Sequence, residues 1–322
     1  MIIVTGAAGF IGSCMIQKLN SEGFRSIMAV DDFSNPEKNK NLEGKEINQR
    51  IERNDFFGWL DQNFIEVEFI IHIGARTDTT EFNWDIFQQL NVDYSKTIFQ
   101  KCIDYQIPLI YASSAATYGL GEAGYQDDER KLDHLHPLNP YGESKHQFDR
   151  WVMAQTKKPF YWAGLKFFNV YGPNEYHKGR MASVIWHSFN QIQDTGKMKL
   201  FRSHNPDYKD GEQKRDFIYV KDVVDVCYYL MRLRKHSGIY NLGSGQARTF
   251  LDLTHAVFRS LDKEPQIEFI DTPADIRDKY QYFTEAEMSK LKNIGYPGNF
   301  HSLEDGVNDY IKNYLINGLK FL

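Results

Sequence analysis

The stretch Ile2-Ile3-Val4-Thr5-Gly6-Ala7-Ala8-Gly9-Phe10-Ile11-Gly12 restricts the fold more than any other part of the chain. Ile2 to Val4 form a short, branched apolar run of the kind found in strands buried on both faces. Gly6, Gly9 and Gly12 follow at a spacing of three, and Ile11, Met15, Ile16 and Leu19 then recur at helical spacing. Glycines at those points permit a sharp turn, a close approach of backbone to a pyrophosphate and tight packing of helix on strand. The helix N-terminus then offers free N–H groups and the positive end of its dipole to phosphate. Strand, glycine turn and helix in this order predict the dinucleotide-binding start of a doubly wound α/β sheet.

A chain of 322 residues suffices for one large domain or two of ordinary size. Its net charge of −5 argues against nucleic-acid binding through bulk charge. No apolar run approaches the ~20 residues of a membrane span, and the first strand begins too early to leave room for a leader peptide. Cys14, Cys102 and Cys227 are too scattered for a disulfide framework, and His134 and His136 lack acidic or cysteine co-ligands, so no metal is expected. The expectation is a cytoplasmic protein that engages neither membrane nor nucleic acid.

Ile27 to Val30 reads as the second strand and ends at Asp31-Asp32. An acid there commonly holds the ribose hydroxyls of NAD, whereas nearby bases accommodate the extra phosphate of NADP. Lys38 and Arg53 follow, so these residues alone leave the choice open. Residues 69–75 read as a buried strand ending in small residues, and 84–105 as a long helix with Phe87, Leu90, Tyr94, Ile98 and Cys102 on one stripe. Pro108 to Tyr111 opens a strand that ends in Ser113-Ser114. Strands and helices that alternate without hairpin signals predict a parallel, Rossmann-like sheet.

After residue 172 the pattern changes. Met181 to Asp194 reads as an amphipathic helix, 205–216 as a polar, mobile loop ending at Arg215, and Val223 to Leu233 as a helix. Ile239 to Leu242 reads as a strand, 250–262 as a helix and 266–270 as a strand. These readings divide the chain into a dinucleotide-binding domain over 1–172, also taking in roughly 215–237, and a smaller, interleaved substrate domain over 173–322.

Tyr141-Gly-Glu-Ser-Lys145 opens the helix that follows Pro140. The i, i+4 spacing puts Tyr141 and Lys145 on one face. There an ammonium would favour phenolate and lower the tyrosine from its usual ~10. Together with the glycine triplet and Ser113-Ser114-Ala-Ala-Thr-Tyr-Gly119, this pair resembles the extended short-chain dehydrogenase/reductases. Phe168-Asn-Val-Tyr-Gly-Pro173 and Arg215-Asp-Phe-Ile-Tyr-Val-x-Asp222 resemble the sugar-nucleotide branch of that superfamily. The segments Tyr176 to Val184, Lys199-Leu-Phe201 and Lys279-Tyr-Gln281 are similar to members that epimerise an ADP-heptose at C6 for the lipopolysaccharide core.

The resemblance implies a role for each matching residue. Gly6, Gly9, Phe10, Ile11 and Gly12 would line the pyrophosphate turn, with Asp31 and Asp32 at the adenosine ribose. Lys38 and Arg53 would face a 2′-phosphate, which tips the cofactor from NAD toward NADP. Gly74, Ala75, Arg76, Thr77, Asn91 and Val170 would border the cofactor farther along, and Lys145 would hold the nicotinamide ribose. Ser114, Tyr141 and Lys178 are the catalytic candidates beside Lys145, with Lys178 also near the cofactor. Asn169, Arg180, His187, Phe201, Arg202, His204, Arg215 and Tyr280 would contact the ADP-sugar. A homo-oligomer is implied as well, pentameric in the best-known members. The chain departs from the pattern at Asp32, where an amide is usual, and in the longer, more charged loop 203–214.

The chemistry explains why such residues are needed. A secondary alcohol carbon with no adjacent carbonyl has no acidic C–H, so inversion must proceed by removing a hydride and returning it to the other face. A nicotinamide supplies that chemistry, while the protein sets geometry and electrostatics. One group must act as base and a second as acid on opposite sides, and Tyr141 and Lys178 fill that need, with Ser114 hydrogen-bonded to the reacting oxygen. Two other readings remain. An NAD-dependent nucleotide-hexose 4-epimerase would share the Ser–Tyr–Lys core and differ in the Lys178 segment. A dinucleotide-binding regulator without activity would not need Ser114, Tyr141 and Lys145 intact. A 4,6-dehydratase is disfavoured, because Ala116 and Thr117 stand where its acid pair would be.

Overall fold

The computed structural model describes residues 1–273, 277 and 280–322. Strand β1 (Ile2–Thr5) leads through the glycine turn into α1 (Phe10–Ser21) and β2 (Ile27–Asp31). Short helices α2 (Pro36–Asn39) and α3 (Phe56–Asn63) flank β3 (Gln49–Glu52), and β4 (Phe69–His72) follows. Next come α4 (Trp84–Phe87), a π-helical stretch at Gln88–Asp93, α5 (Tyr94–Asp104) and β5 (Leu109–Ser114). Helix α6 (Pro140–Ala154) and strands β6 (Trp162–Phe167) and β7 (Asn169–Tyr171) lead to α7 (Val184–Thr195). The chain continues with β8 (Met198–Phe201), β9 (Lys214–Tyr219), α8 (Val220–Leu233), β10 (Gly238–Leu242), β11 (Ala247–Thr249), α9 (Phe250–Ser260) and β12 (Ile267–Ile270).

Seven strands form one parallel sheet in the order β3-β2-β1-β4-β5-β6-β10. The winding changes direction between β1 and β4, the place where a doubly wound sheet opens a crevice at its strand C-termini. Every residue of β1, β4 and β5 is buried, as continuous apolar strands between two helical layers require. Helix α1 packs against α8. Elsewhere the ring of Phe99 on α5 meets Phe148 and Trp151 of α6 edge-on, and Tyr111 of β5 meets Phe148 with centroids 4.9 Å apart. Two smaller sheets, β11-β9-β7 and β12-β8, lie beyond the main one. No helix among the described residues is long and apolar enough to cross a membrane.

The doubly wound parallel sheet predicted from sequence is present, and several local boundaries differ from expectation. Strand β4 stops at His72 rather than continuing to 75, because Gly74 leaves the sheet to pass beneath the glycine turn. A Cβ on Gly6 would lie 2.6 Å from Gly74 Cα. Helix α7 starts at Val184, where Ser183 accepts from Trp186 N at 3.2 Å, while Met181 ends a 3-10 turn over Tyr176–Met181. The helix expected at 84–105 is interrupted by the π-helical stretch. Arg215 is a buried residue of strand β9, opposite Arg248 of β11, and not the end of a loop. Gly238–Leu242, grouped from sequence with the second domain, pairs with β6 at the edge of the main sheet. Lys279 lies outside the described residues.

A Cβ on Gly12 would overlap the carbonyl oxygen of Gly6, with no flexible side chain to give way. Gly12→Ala is therefore expected to lower stability by about 1–3 kcal/mol. Denaturant unfolding measures it, and an unchanged midpoint would refute this contact.

Candidate active site

A cavity of about 900 Å³ runs across the C-terminal ends of the central strands. Gly6, Gly9, Phe10, Ile11 and Gly12 line its middle. Gly9 provides no side chain to cap α1, so the first-turn N–H groups remain available to an anion. The glycine turn is held by polar contacts that the sequence did not reveal. Asn41 Nδ2 donates to the Ala8 carbonyl at 2.9 Å and to the Asn174 carbonyl at 3.0 Å. Thr5 Oγ1 lies 2.6 Å from His72 Nδ1, and His72 Nε2 lies 2.9 Å from Ser95 Oγ. Burial keeps this histidine neutral, its pKa pushed down to about 3.

Asp31, Asp32, Lys38 and Arg53 line one end. Asp31 accepts from Ala8 N and from Lys38 Nζ, each at 2.8 Å, and Arg53 lies 3.2 Å from Asp32. Bonds from the Ser34 hydroxyl and backbone N–H hold Asp32 below the usual carboxylate range. Gly74, Ala75, Arg76 and Thr77 line the neighbouring wall. Asn91 does not reach the cavity. It is buried in the π-helical stretch, where it accepts from Arg76 N at 2.8 Å and donates to the Arg76 carbonyl at 2.9 Å, so it acts on the wall from behind.

Ser114, Tyr141, Lys145 and Lys178 meet at the other end, although they come from three separate elements, β5, α6 and the 3-10 turn over Tyr176–Met181. Asn139 accepts from Gly142 N at 2.8 Å and Pro140 takes the first helical position, which starts α6 with Tyr141 at the cavity. Lys145 Nζ donates to the Ala112 carbonyl at 2.9 Å. Burial lowers its pKa to about 8, against the opposing pull of Asp149. Burial raises the Tyr141 phenol above its ordinary value, and the Ser114 hydroxyl offsets part of that rise. This differs from the depression expected of a neighbouring ammonium, because the low-dielectric surroundings disfavour phenolate and the Lys145 ammonium is directed at Ala112.

Lys178 sits on the 3-10 turn with Nζ 5.5 Å from the Phe10 ring centre, and burial lowers its pKa while Glu175 opposes. Glu175 fixes that turn: its carboxylate accepts from Ser183 N at 2.5 Å, Ser183 Oγ at 2.7 Å and Gly172 N at 3.3 Å. Neighbouring His177 also lines the cavity and is kept neutral by burial, its pKa lowered to about 4.

Asn169 and Val170 line the cavity where it meets Phe217 and Phe250. Arg215 lies just behind, its guanidinium 5.6 Å from the Phe250 ring and 5.4 Å from that of Tyr280. Phe201 meets Tyr280 edge-on. Neither Phe201 nor Tyr280 lines the cavity, and the remaining predicted contacts are not in its wall either. Arg180 and His187 are exposed, with His187 Nε2 3.3 Å from the Arg180 carbonyl, and His204 is exposed on its loop. Arg202 is directed at Asp271 and Asp210. Leu90 and Tyr94, read from sequence as a core stripe, line the cavity, since the π-helical stretch rotates the helix face there. No group of His, Cys, Asp or Glu among the described residues is arranged to hold a metal.

An uncapped helix N-terminus at a glycine turn, acids after β2, and a Ser–Tyr–Lys set beside them suit a nicotinamide dinucleotide. The fold and site are those of an α/β enzyme suited to a nicotinamide cofactor. Residues 2–243 match the family described as NAD dependent epimerase/dehydratase. An ADP-L-glycero-D-manno-heptose-6-epimerase of Fusobacterium nucleatum is 48% identical, over 98% of this chain and 98% of its own. The crystal structure of the Helicobacter pylori ADP-L-glycero-D-manno-heptose-6-epimerase superposes with a TM-score of 0.79 at 26% identity, covering 97% of this chain and 95% of that one. The Thermus thermophilus UDP-glucose 4-epimerase, solved with NAD, shares the fold at 23% identity with a TM-score of 0.76, over 96% and 97% of the two chains. The chain belongs to the NAD dependent epimerase/dehydratase family, on the branch of the heptose epimerases.

Lys145 binds fewer protons in the folded than in the unfolded chain between about pH 8 and the ordinary lysine value of 10.5. Its burial therefore costs most below pH 8, and that cost fades as the pH rises. Stability of Lys145→Met relative to the native chain should fall by about 2 kcal/mol from pH 7 to 9.5. Denaturant titrations at the two pH values test this, and a pH-independent difference would contradict it.

Proposed function

We propose that the protein inverts C6 of the heptose in ADP-D-glycero-D-manno-heptose, giving ADP-L-glycero-D-manno-heptose for the lipopolysaccharide inner core, with NADP as its cofactor. The supporting observation is that two acid/base groups of different chemistry, Tyr141 and Lys178, face one cavity beside Ser114 in a chain half identical to epimerases of that name. When bound, the nicotinamide supplies hydride acceptance and return at the reacting carbon. Tyr141 Oη takes or gives the proton of the substrate hydroxyl, and Ser114 Oγ hydrogen-bonds that oxygen. Lys178 Nζ serves the opposite face as the second proton carrier, with burial moving it toward the working range. Lys145 orients the cofactor ribose, while the glycine turn and residues 74–77 hold the rest of it.

The main sheet carries the cofactor in this reading, and elements beyond residue 172 carry the sugar nucleotide. Arg215, stacked between two rings, and Asn169 are the proposed contacts to the ADP-sugar. A homo-oligomer is proposed on the family resemblance, and sedimentation would measure it. Lys38 and Arg53 support NADP. A second reading, NAD, is favoured by the pairing of both bases with Asp31 and Asp32, which leaves little free positive charge for a 2′-phosphate.

Incubation with ADP-D-glycero-D-manno-heptose should change the C6 stereochemistry seen by NMR, and unchanged substrate would overturn the activity. Tyr141→Phe and Lys178→Met are each expected to lower kcat about 10²–10⁴-fold with circular dichroism unchanged. Native turnover in either would remove that residue from the mechanism. Denaturation should release NADP, and release of NAD alone would decide for the second reading.

A further inference from the structure

Behind the cavity wall lies an ion pair that the roles assigned above do not use. Lys166 on β6 and Asp149 on α6 have side chains 1% and 0% exposed, and their charged atoms meet at 2.8 Å. Burying two charges is costly, and such a pair is tolerable only when further hydrogen bonds complete it. Asp149 also accepts from Ser113 Oγ at 2.7 Å and Tyr111 Oη at 3.1 Å. Lys166 Nζ also donates to Thr117 Oγ1 at 2.6 Å and lies 5.1 Å from the Tyr118 ring centre.

The contact with Thr117 has a direction. An ammonium only donates, so it occupies an acceptor position on Thr117 Oγ1. The hydroxyl proton is then left to the carbonyl oxygen of Ser114, 2.8 Å away. Ser114 Oγ meanwhile accepts from Ala116 N at 3.1 Å. A fully connected chain of polar groups thus runs from Asp149 through Lys166 and Thr117 to the backbone of a residue on the cavity wall, where a dry interior strengthens each bond.

We propose that Asp149, Lys166 and Thr117 form a positioning relay that holds Ser114 at the angle from which its hydroxyl meets the reacting oxygen of the sugar; this rests on the epimerase reading above. Thr117 is the positioning residue, Lys166 sets the sense of its hydroxyl, and Asp149 offsets the cost of burying the ammonium. None of the three touches the cavity.

Thr117→Val keeps the shape and removes the hydroxyl, whereas Thr117→Ser keeps both hydrogen bonds. With the cofactor-loaded protein, Thr117→Val is expected to lose about tenfold in kcat with KM within about twofold of native. Thr117→Ser should retain kcat within about twofold. A lower melting temperature of Thr117→Val with native kcat would show a structural role alone and overturn the proposal. So would a folded Thr117→Ser that loses about tenfold in kcat, an arm that decides even if the valine variant does not fold. Turnover by the native chain reports on the epimerase reading separately. Should the native chain prove inactive, crystal structures of it and Thr117→Ala are compared: a displaced Ser114 Oγ supports the relay, and an unmoved one overturns it.

Discussion

The contact between the Gly6 carbonyl and the bare Cα of Gly12 sets the geometry on which the cavity depends. It allows α1 to begin almost on top of the tip of β1, closer than any side chain would permit. Gly74 then passes beneath Gly6, which carries the chain after β4 out of the sheet and into the cavity wall. From that one approach follow an open helix N-terminus, a crevice between diverging strands and a place for Asp31 to accept from Ala8 N. The apolar strands supply the driving force for folding, but they would pack equally well without a crevice.

Around that turn, polar side chains replace what regular structure cannot provide. Asn41 ties the glycine turn to the 172–178 segment, Glu175 ties that segment to the start of α7, and Asn91 ties residue 76 to the π-helical stretch. Each is buried, and each satisfies backbone groups that would otherwise lie unpaired in a dry interior. Segments that border the cavity are held in place in this way. The same dry interior acts on the titratable groups of the cavity, lowering Lys145 and Lys178 and raising Tyr141, so that burial alone brings the two ammonium groups toward neutrality and leaves the phenol protonated.

Much of this was legible in the residues. The apolar runs, the glycine spacing and Pro140 marked β1, α1 and α6, because each depends on local chain properties. The cavity-lining roles of Leu90 and Tyr94 were hidden by a helical stripe that the π-helical stretch interrupts. Arg215 looked like the end of a charged loop, since Lys214, Arg215 and Asp216 have no apolar alternation. It lies in a strand because the buried Asp216 carboxylate accepts from Ser244 N and Ala286 N, residues distant in sequence. Arg202 and His204 face away from the cavity for a related reason, as Arg202 finds acids that no spacing rule brings near it.

By itself the amino-acid sequence determined the class of fold, the glycine turn whose geometry suits a dinucleotide, and the family to which the chain belongs, because periodicity, glycine placement and motif order are properties of neighbouring residues. Tertiary structure alone decided that Lys178 joins Ser114 and Tyr141 on one wall, that Lys38 and Arg53 are paired with Asp31 and Asp32, and that Lys166 meets Asp149 behind Ser114. Those outcomes depend on distances between residues far apart along the chain. Packing sets such distances, and the electrostatic character of the site follows from them.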